Sequence, residues 1–396
     1  MNGFFARTVG VRAVGLRAVG ATAIALLACM TAQAADKAQG AGTATARTSA
    51  EAPAATPIEP SLREALDQYF DIGAAVQSSF VDATDLRSAL LARHFSSLTA
   101  ENCMKPEALQ AVEGVFRFRD ADKILRFAER NGMALRGHTL VWHNQTPAWF
   151  FSDPDDPTKP PSRELLIARM RTHIMTVMGH FRGRVKSWDV VNEVLSDAGL
   201  LRGPAEGSKW MGIIGPDYID LAFRFAREAD PAATLVMNDY NLENSVAKRE
   251  AMYELAKGML ARGVPIDAVG LQMHVSIYGP SVDSIRASIE RFAALGLKVQ
   301  VTEMDVSIYN GSEKEKRITA ELLARQAERY AELFRLFEEQ TRFGRLDSVT
   351  LWGVADDTSW LDGFPVPGRA NAPLLFDRDK LPKPAFWSIL AAAEHR

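Results

Sequence analysis

From residue 59 onward, short apolar runs alternate with longer segments of helical period. Eight of the runs have the length and the β-branched, apolar character of buried parallel strands. They are 71–76 (DIGAAV), 95–102 (FSSLTAEN), 134–142 (ALRGHTLVW), 187–193 (SWDVVNE), 234–240 (TLVMNDY), 268–275 (AVGLQMHV), 298–305 (KVQVTEMD) and 348–356 (SVTLWGVAD). Crossover helices lie between them. In 281–295 the residues Val282, Ile285, Ile289, Phe292 and Leu295 share one face, Ser281 is placed to cap the start, and Gly296 ends the helix. In 321–343 the set Leu323, Tyr330, Phe334 and Phe337 repeats the pattern ahead of Gly344, and Gly263 closes a helix that starts near Ala251. Eight β–α units in about 340 residues predict an α/β fold, a (β/α)8 barrel of TIM type with enlarged loops. An open doubly wound sheet would carry a Gly-rich phosphate turn after an early strand, and the sequence has none.

Such a barrel presents its chemistry at the C-terminal ends of the strands. Polar residues gather there: Glu101, His138, Asn192, Glu193, Asn238, Gln272, His274, Glu303 and Asp305. Side chains alternate along a strand, so Glu303 and Asp305 share one face, as do Gln272 and His274. His274 then comes within reach of both acids, with Asp305 orienting it and Glu303 hydrogen-bonded to it. Asn192 and Glu193 are consecutive, so both reach the rim only if the strand ends or bulges there. Two glutamates from two strands are the minimum apparatus for cleaving a glycosidic bond. One must be protonated to expel the leaving oxygen, and the other must stay ionised to trap the sugar. The surroundings suit Glu193 as donor and Glu303 as nucleophile, an order the residues alone do not force.

Charge and composition narrow the partners. Lys plus Arg number 46 against 49 for Asp plus Glu, and a net charge of −3 argues against nucleic acid as the main partner. Residues 1–34 have the form of an export signal: Arg7, Arg12 and Arg17 precede an apolar run at 18–30, and Ala32, Gln33 and Ala34 form a small-x-small cleavage site. The apolar run is too short to span a bilayer. Residues 26–29 (LLAC) also resemble a lipoprotein box, which would make Cys29 a lipidated N-terminus. Residues 35–58, almost all Ala, Thr, Gly and Pro, have no apolar period and are expected to be a disordered linker. A single catalytic domain, 59–396, follows, with Cys103 expected to be an inert buried thiol. The protein is expected to be secreted or periplasmic, monomeric and without a transmembrane segment.

The motifs SWDVVNE (187–193), VTEMD (301–305), ENCMKPE (101–107), GHTLVWH (137–143), NDYN (238–241), LWGVAD (351–356) and PLLFD (373–377) resemble the signature segments of glycoside hydrolase family 10, the endo-β-1,4-xylanases. The resemblance covers essentially all of 59–396, in the right order. It implies a retaining mechanism with carboxyl groups about 5–5.5 Å apart. Glu193 would be the acid/base and Glu303 the nucleophile, with His274 and Asp305 behind it. Glu101, Asn102 and Lys105 would hold the second sugar on the non-reducing side. His138, Trp142, Gln145 and Asn192 would surround the sugar at the point of cleavage, Asn192 meeting its 2-hydroxyl. Gln272 joins this sugar-binding set, Trp352 and Trp360 would floor and wall the cleft, and Tyr240 would lie on the leaving-group side. Xylan and xylo-oligosaccharides are the expected partners, with no cofactor, no metal and no second sugar-binding module. Cys103 stands where relatives often have Glu or Ala, and Leu361 follows Trp360 where many have Arg. Both departures put subsite preference in doubt, not the two carboxylates.

Two other classes compete. A metal-dependent barrel hydrolase would also gather His138, His143, His274, Asp305 and Glu303, but the sequence has no His-x-His pair, no HExxH and no acid-rich oxygen cage. A sugar-binding protein without activity would be expected to lose one glutamate, and both are present. Trp188 reads as a packed core residue and His143 as a satisfied rim histidine, while an ion pair with Glu101 is the structural alternative for Lys105. Xylan lacks the C5 hydroxymethyl group of cellulose. Discrimination therefore rests on steric closure near Trp360 and Gln145 and on the Lys105 contacts, and some activity on aryl cellobiosides is expected.

Overall fold

The computed structural model describes residues 60–394; the expected export signal and the whole of the expected linker lie outside the described residues. The apolar runs form nine strands: β1 (Asp71–Val76), β2 (Ser97–Ala100), β3 (Ala134–Val141), β4 (Ser187–Asn192), β5 (Thr234–Asp239), β6 (Ala268–Leu271), β7 (His274–Ser276), β8 (Lys298–Ser307) and β9 (Leu346–Leu351). All pair in parallel, in the order β1 to β6, then β8 and β9, and β9 pairs back onto β1. The sheet is therefore a closed barrel of eight strand positions, with helices between them. Parallel strands covered on both sides must be apolar throughout, and β2 and β4 are buried along their whole length.

One expected strand is two. The run 268–275 breaks after Leu271, where Met273 takes the left-handed conformation (φ 62°), and resumes as β7. β8 keeps its hydrogen bonds across the break: the Glu303 N–H donates to the Gln272 carbonyl at 3.1 Å, and His274 then pairs in register with Asp305. Two other strands are shorter or shifted than expected, since 95–102 pairs only over Ser97–Ala100 and the last strand occupies Leu346–Leu351. The helix expected from Ala251 begins at Val246, where Ser245 caps it by accepting from the Lys248 N–H. Ser281 caps Val282–Ala293 by accepting from the Ser284 N–H, and Thr319 caps Ala320–Arg342 in the same way through Leu322. No helix among the described residues is long and apolar enough to cross a membrane.

Trp188 fills the core, fully buried, as its position on β4 suggests. Its six-membered ring lies against Gly137 of β3, and a Cβ on that glycine would come within 2.2 Å of the ring. No real contact is that short, and the obstacle is a rigid indole in a closed barrel. Gly137→Ala is therefore expected to lower unfolding free energy by about 1–3 kcal/mol through overpacking, as read from the denaturant midpoint. An unchanged midpoint would mean that the strands separate freely here.

Candidate active site

A cleft of about 1180 Å³ opens over the C-terminal ends of the strands. Of the residues expected at a site, all but Gln145 line it. Gln145 is exposed beside it, and its Oε1 accepts from Lys105 Nζ at 2.8 Å.

Glu303 sits near the middle of β8 and is 5% exposed. Its Oε1 accepts from Asn238 Nδ2 at 2.7 Å, and its Oε2 lies 3.4 Å from His274 Nε2. The other ring nitrogen, Nδ1, meets Asp305 Oδ2 at 3.0 Å, and the same oxygen accepts from Trp360 Nε1 at 2.8 Å. Burial opposes a charge on His274, but Asp305 and then Glu303 overrule it and push its pKa up to about 10. Burial likewise opposes ionisation of Glu303. The hydrogen bond from His274, the charges of His138 and His274 and the hydrogen bond from Asn238 together outweigh it, so the carboxyl is held below its ordinary value. The alternation expected along β8 thus places Glu303 and Asp305 on opposite ring nitrogens of one cation.

Asn238 was legible only as one more polar strand end, yet it joins the two halves of the site. Its amide donates to both Glu303 and Asn192 Oδ1 (2.8 Å), while its own oxygen accepts from Thr302 Oγ1 at 2.6 Å, which fixes the orientation of the amide. Gly270 of β6 makes room for it, since a Cβ there would come within 2.3 Å of Asn238 Oδ1.

Glu193 is presented differently. β4 ends at Asn192, and Glu193 turns into the left-handed region at φ 56°. That conformation costs about 1–2 kcal/mol for a residue with a Cβ, and it lets two consecutive side chains both face the cleft. The Glu193 carboxyl takes only neutral donors in direct hydrogen bonds: Trp142 Nε1 at 2.9 Å and Gln272 Nε2 at 3.2 Å. His143 Nε2 is 3.9 Å away, and burial, with the charge of Arg202, pulls its pKa down to about 4, so it stands there neutral.

Along one wall Lys105 Nζ donates to the amide oxygens of Asn102 (3.0 Å) and Gln145 and lies 5.0 Å over the Trp142 ring, while Glu101 meets Asn102 Nδ2 at 3.1 Å. The lysine is thus seated by amides. His138 Nδ1 meets Asp189 Oδ2 at 2.9 Å, and Arg136 of β3 grips that buried aspartate. The Trp352 ring lies edge-on to both His138 and His274. Tyr240 covers buried Lys248, whose Nζ is 3.3 Å from the ring centroid, and burial followed by Asp197 pushes the phenol up to about 12. Sequence reasoning missed Asp189, Arg136, Lys248 and Arg202, because each acts from a loop, a helix or the barrel interior through another residue. Cys103 is half-buried where the sequence predicts a buried thiol; desolvation first, then Asp120 and Glu101, still raise its thiol to about 12, which makes it unreactive at neutral pH. Among the described residues no group of three or more His, Cys, Asp and Glu is placed to hold a metal.

A closed parallel barrel with one carboxyl on β8 and a second just past β4, both facing an open cleft, defines a (β/α)8 glycoside hydrolase. Residues 61–392 match the family model of glycosyl hydrolase family 10, and the chain belongs to that family. It is 54% identical over 340 residues to endo-1,4-beta-xylanase C of Paenibacillus barcinonensis, a match covering 84% of this chain and 31% of that protein. Endo-1,4-beta-xylanase A of Thermoanaerobacterium saccharolyticum is 48% identical over 337 residues, 84% of this chain and 28% of that one. The chain thus spans about a third of the length of these curated relatives. Against the endo-1,4-beta-xylanase of Geobacillus stearothermophilus it is 46% identical over 336 residues, covering 84% of this chain and 98% of the relative. Among solved structures, a family 10 protein from Paenibacillus barcinonensis superposes with a TM-score of 0.83 at 53% identity, covering 85% of this chain and 98% of that one.

The electrostatics of Glu303 have a direct consequence. His274→Asn removes the cation while burial remains, so the Glu303 carboxyl is expected to titrate at higher pH than in the parent, as followed by carbon-13 NMR of the labelled side chain. An unmoved titration would show that His138 and Asn238 hold the charge without His274.

Proposed function

We propose that this chain is an endo-1,4-β-xylanase that hydrolyses internal β-1,4-xylosidic bonds of xylan or xylo-oligosaccharides with retention. The observation that carries this reading is the unequal treatment of two facing glutamates. Glu303, paired with imidazolium, is suited to stay ionised and attack the anomeric carbon. Glu193, hydrogen-bonded by an indole and an amide with no cation in direct contact, is suited to the acid/base role. In the first step Glu193 protonates the glycosidic oxygen as the C1–O bond breaks and Glu303 forms an ester to C1. Esterification discharges Glu303. Glu193, now ionised, takes a proton from water, which attacks C1 and releases Glu303. Asn192, held by the Asn238 amide, is placed to meet the 2-hydroxyl, where a hydrogen bond gains strength in the transition state.

The substrate follows from family membership together with the relatives, several of which carry the name endo-1,4-beta-xylanase. A solved relative from Thermoanaerobacterium saccharolyticum, 48% identical with a TM-score of 0.77, is a mutant in complex with xylotetraose. In this reading Glu101, Asn102 and Lys105 bind the sugar beyond the one cleaved, His138, Trp142, Gln145, Gln272, Trp352 and Trp360 surround the cleaved sugar, and Tyr240 faces the leaving group. Flat indoles suit the C–H faces of xylose while its hydroxyls reach the amides and acids. The protein acts as a monomer, exported by its leader and either released by cleavage after Ala34 or tethered through a lipid on Cys29, with 35–58 as the linker to the catalytic domain.

Incubation of the purified protein with xylan is expected to release reducing ends, with NMR of the first product showing the β-anomer. Glu303→Ala abolishes release in the same assay. Initial α-anomer would overturn the double displacement, and no release by folded protein would redirect the search to another glycan. The acid limb of kcat/KM is expected below the ordinary carboxylate range, because Glu303 is held ionised, and to move upward in His274→Asn.

A further inference from the structure

Arg202 holds the turn that carries Glu193. After β4 the chain passes through Val194 and Leu195, reverses at 196–199 and returns, Leu201 bridging antiparallel to Leu195. The return lays Arg202 against the end of β4. Its Nε donates to the Glu193 carbonyl at 3.0 Å, and its Nη2 donates to the Leu195 carbonyl at 2.9 Å and to the Tyr240 hydroxyl at 3.0 Å. The Glu193 N–H donates to the Asn238 carbonyl of β5 at 2.8 Å. Both main-chain polar groups of a residue in the left-handed region are therefore tied down, one by the sheet and one by the arginine.

A loop staple would need only the Leu195 carbonyl. The other two contacts reach the glutamate that faces the cleft and the tyrosine that lines it, and a planar guanidinium holds its donors to all three acceptors in one rigid fork, as a lysine cannot. The φ of Glu193 sets the direction of its side chain, so the position of its carboxyl opposite the leaving oxygen depends on this clamp. Proton transfer requires hydrogen-bond reach at the reacting oxygen, whereas attack by Glu303 depends on β8 and leaves the clamp out.

We propose that Arg202 is a positioning residue for proton transfer by Glu193, locking the left-handed turn and coupling it to Tyr240 on the leaving-group wall. The proposal rests on the assignment of Glu193 as acid/base. Its test compares full-length Arg202→Met and Arg202→Lys, with folding checked by circular dichroism, on two aryl β-xylobiosides. The dinitrophenyl compound departs without a proton, and the phenyl compound requires one. Arg202→Met is expected to lose about 100-fold in kcat/KM on the phenyl substrate and less than about 10-fold on the dinitrophenyl one. On the latter, kcat and KM should fall together, because the second step lacks its base, and azide should restore kcat. Arg202→Lys should recover part of the loss. An equal loss on both substrates without azide response would make Arg202 a structural staple and overturn the proposal. Should Arg202→Met fail to fold, Tyr240→Phe removes one acceptor of the clamp. It is expected to show the same substrate bias at smaller size, and an equal effect on both substrates again refutes the coupling. Glu193→Ala, run beside them, separates the two claims: without a leaving-group bias and azide rescue of its own, the acid/base assignment fails whatever Arg202 does.

Discussion

An ionised carboxylate taken out of water is prohibitive unless it is paired and hydrogen-bonded, and Glu303 must meet that condition inside the mouth of a barrel. Its direct partners are one cation and one amide, and each has its own support. His274 reaches Glu303 because the sixth strand position breaks after Leu271 and restarts in register with Asp305. Asp305 is two residues from Glu303 on β8, so the same face that carries the charge also carries the group that keeps its partner protonated. Asn238 is oriented by Thr302 and fits because residue 270 is glycine. Remove any of these and the buried charge is the first thing to become unaffordable.

The same reasoning explains why the second glutamate is built so differently. A group that gains and loses a proton in each cycle cannot be locked against a cation in direct contact, since that would fix it in one state. Glu193 therefore stands past the end of its strand, at 16% side-chain exposure against 7% for Glu303, and its carboxyl accepts from an indole and an amide. The left-handed turn achieves this placement. A regular strand would send either Asn192 or Glu193 away from the cleft, and the site needs both.

That requirement was legible in the sequence, because two consecutive polar residues at a strand end contradict alternation. So were the barrel and the relation of Glu303, Asp305 and His274, since period-2 alternation and parallel neighbours are local rules. The break at Met273 was not: GLQMHV reads as a continuous strand, and nothing in the period signals a left-handed methionine. Asn238 was visible as a polar end but not as the bridge, because its role depends on Asn192 and Glu303 arriving from strands far apart in the chain. Arg202 gave no signal, since an arginine in a loop is ordinarily solvated. Gly137 and Trp188 become meaningful only as a pair, once β3 and β4 are adjacent.

The buried ion pairs around the site raise a last question of purpose. Arg136 and Asp189, and Lys248 and Asp239, are almost wholly shielded from water. Such pairs are weak evidence for stability, because desolvation offsets much of the attraction and apolar replacements of similar volume are often more stable. Burial even raises the Asp239 pKa to about 6 against the opposing pull of Lys248. What each pair does is hold a residue of the cleft. Asp189 meets His138 Nδ1 and so directs the other ring nitrogen, while Asp239 accepts from the Leu195 and Tyr240 N–H groups, on either side of the Arg202 clamp. An apolar interior would keep the barrel closed, but it would leave the histidine ring free to rotate and the turn behind Glu193 anchored on one side only. The charges lie where orientation, more than cohesion, is needed.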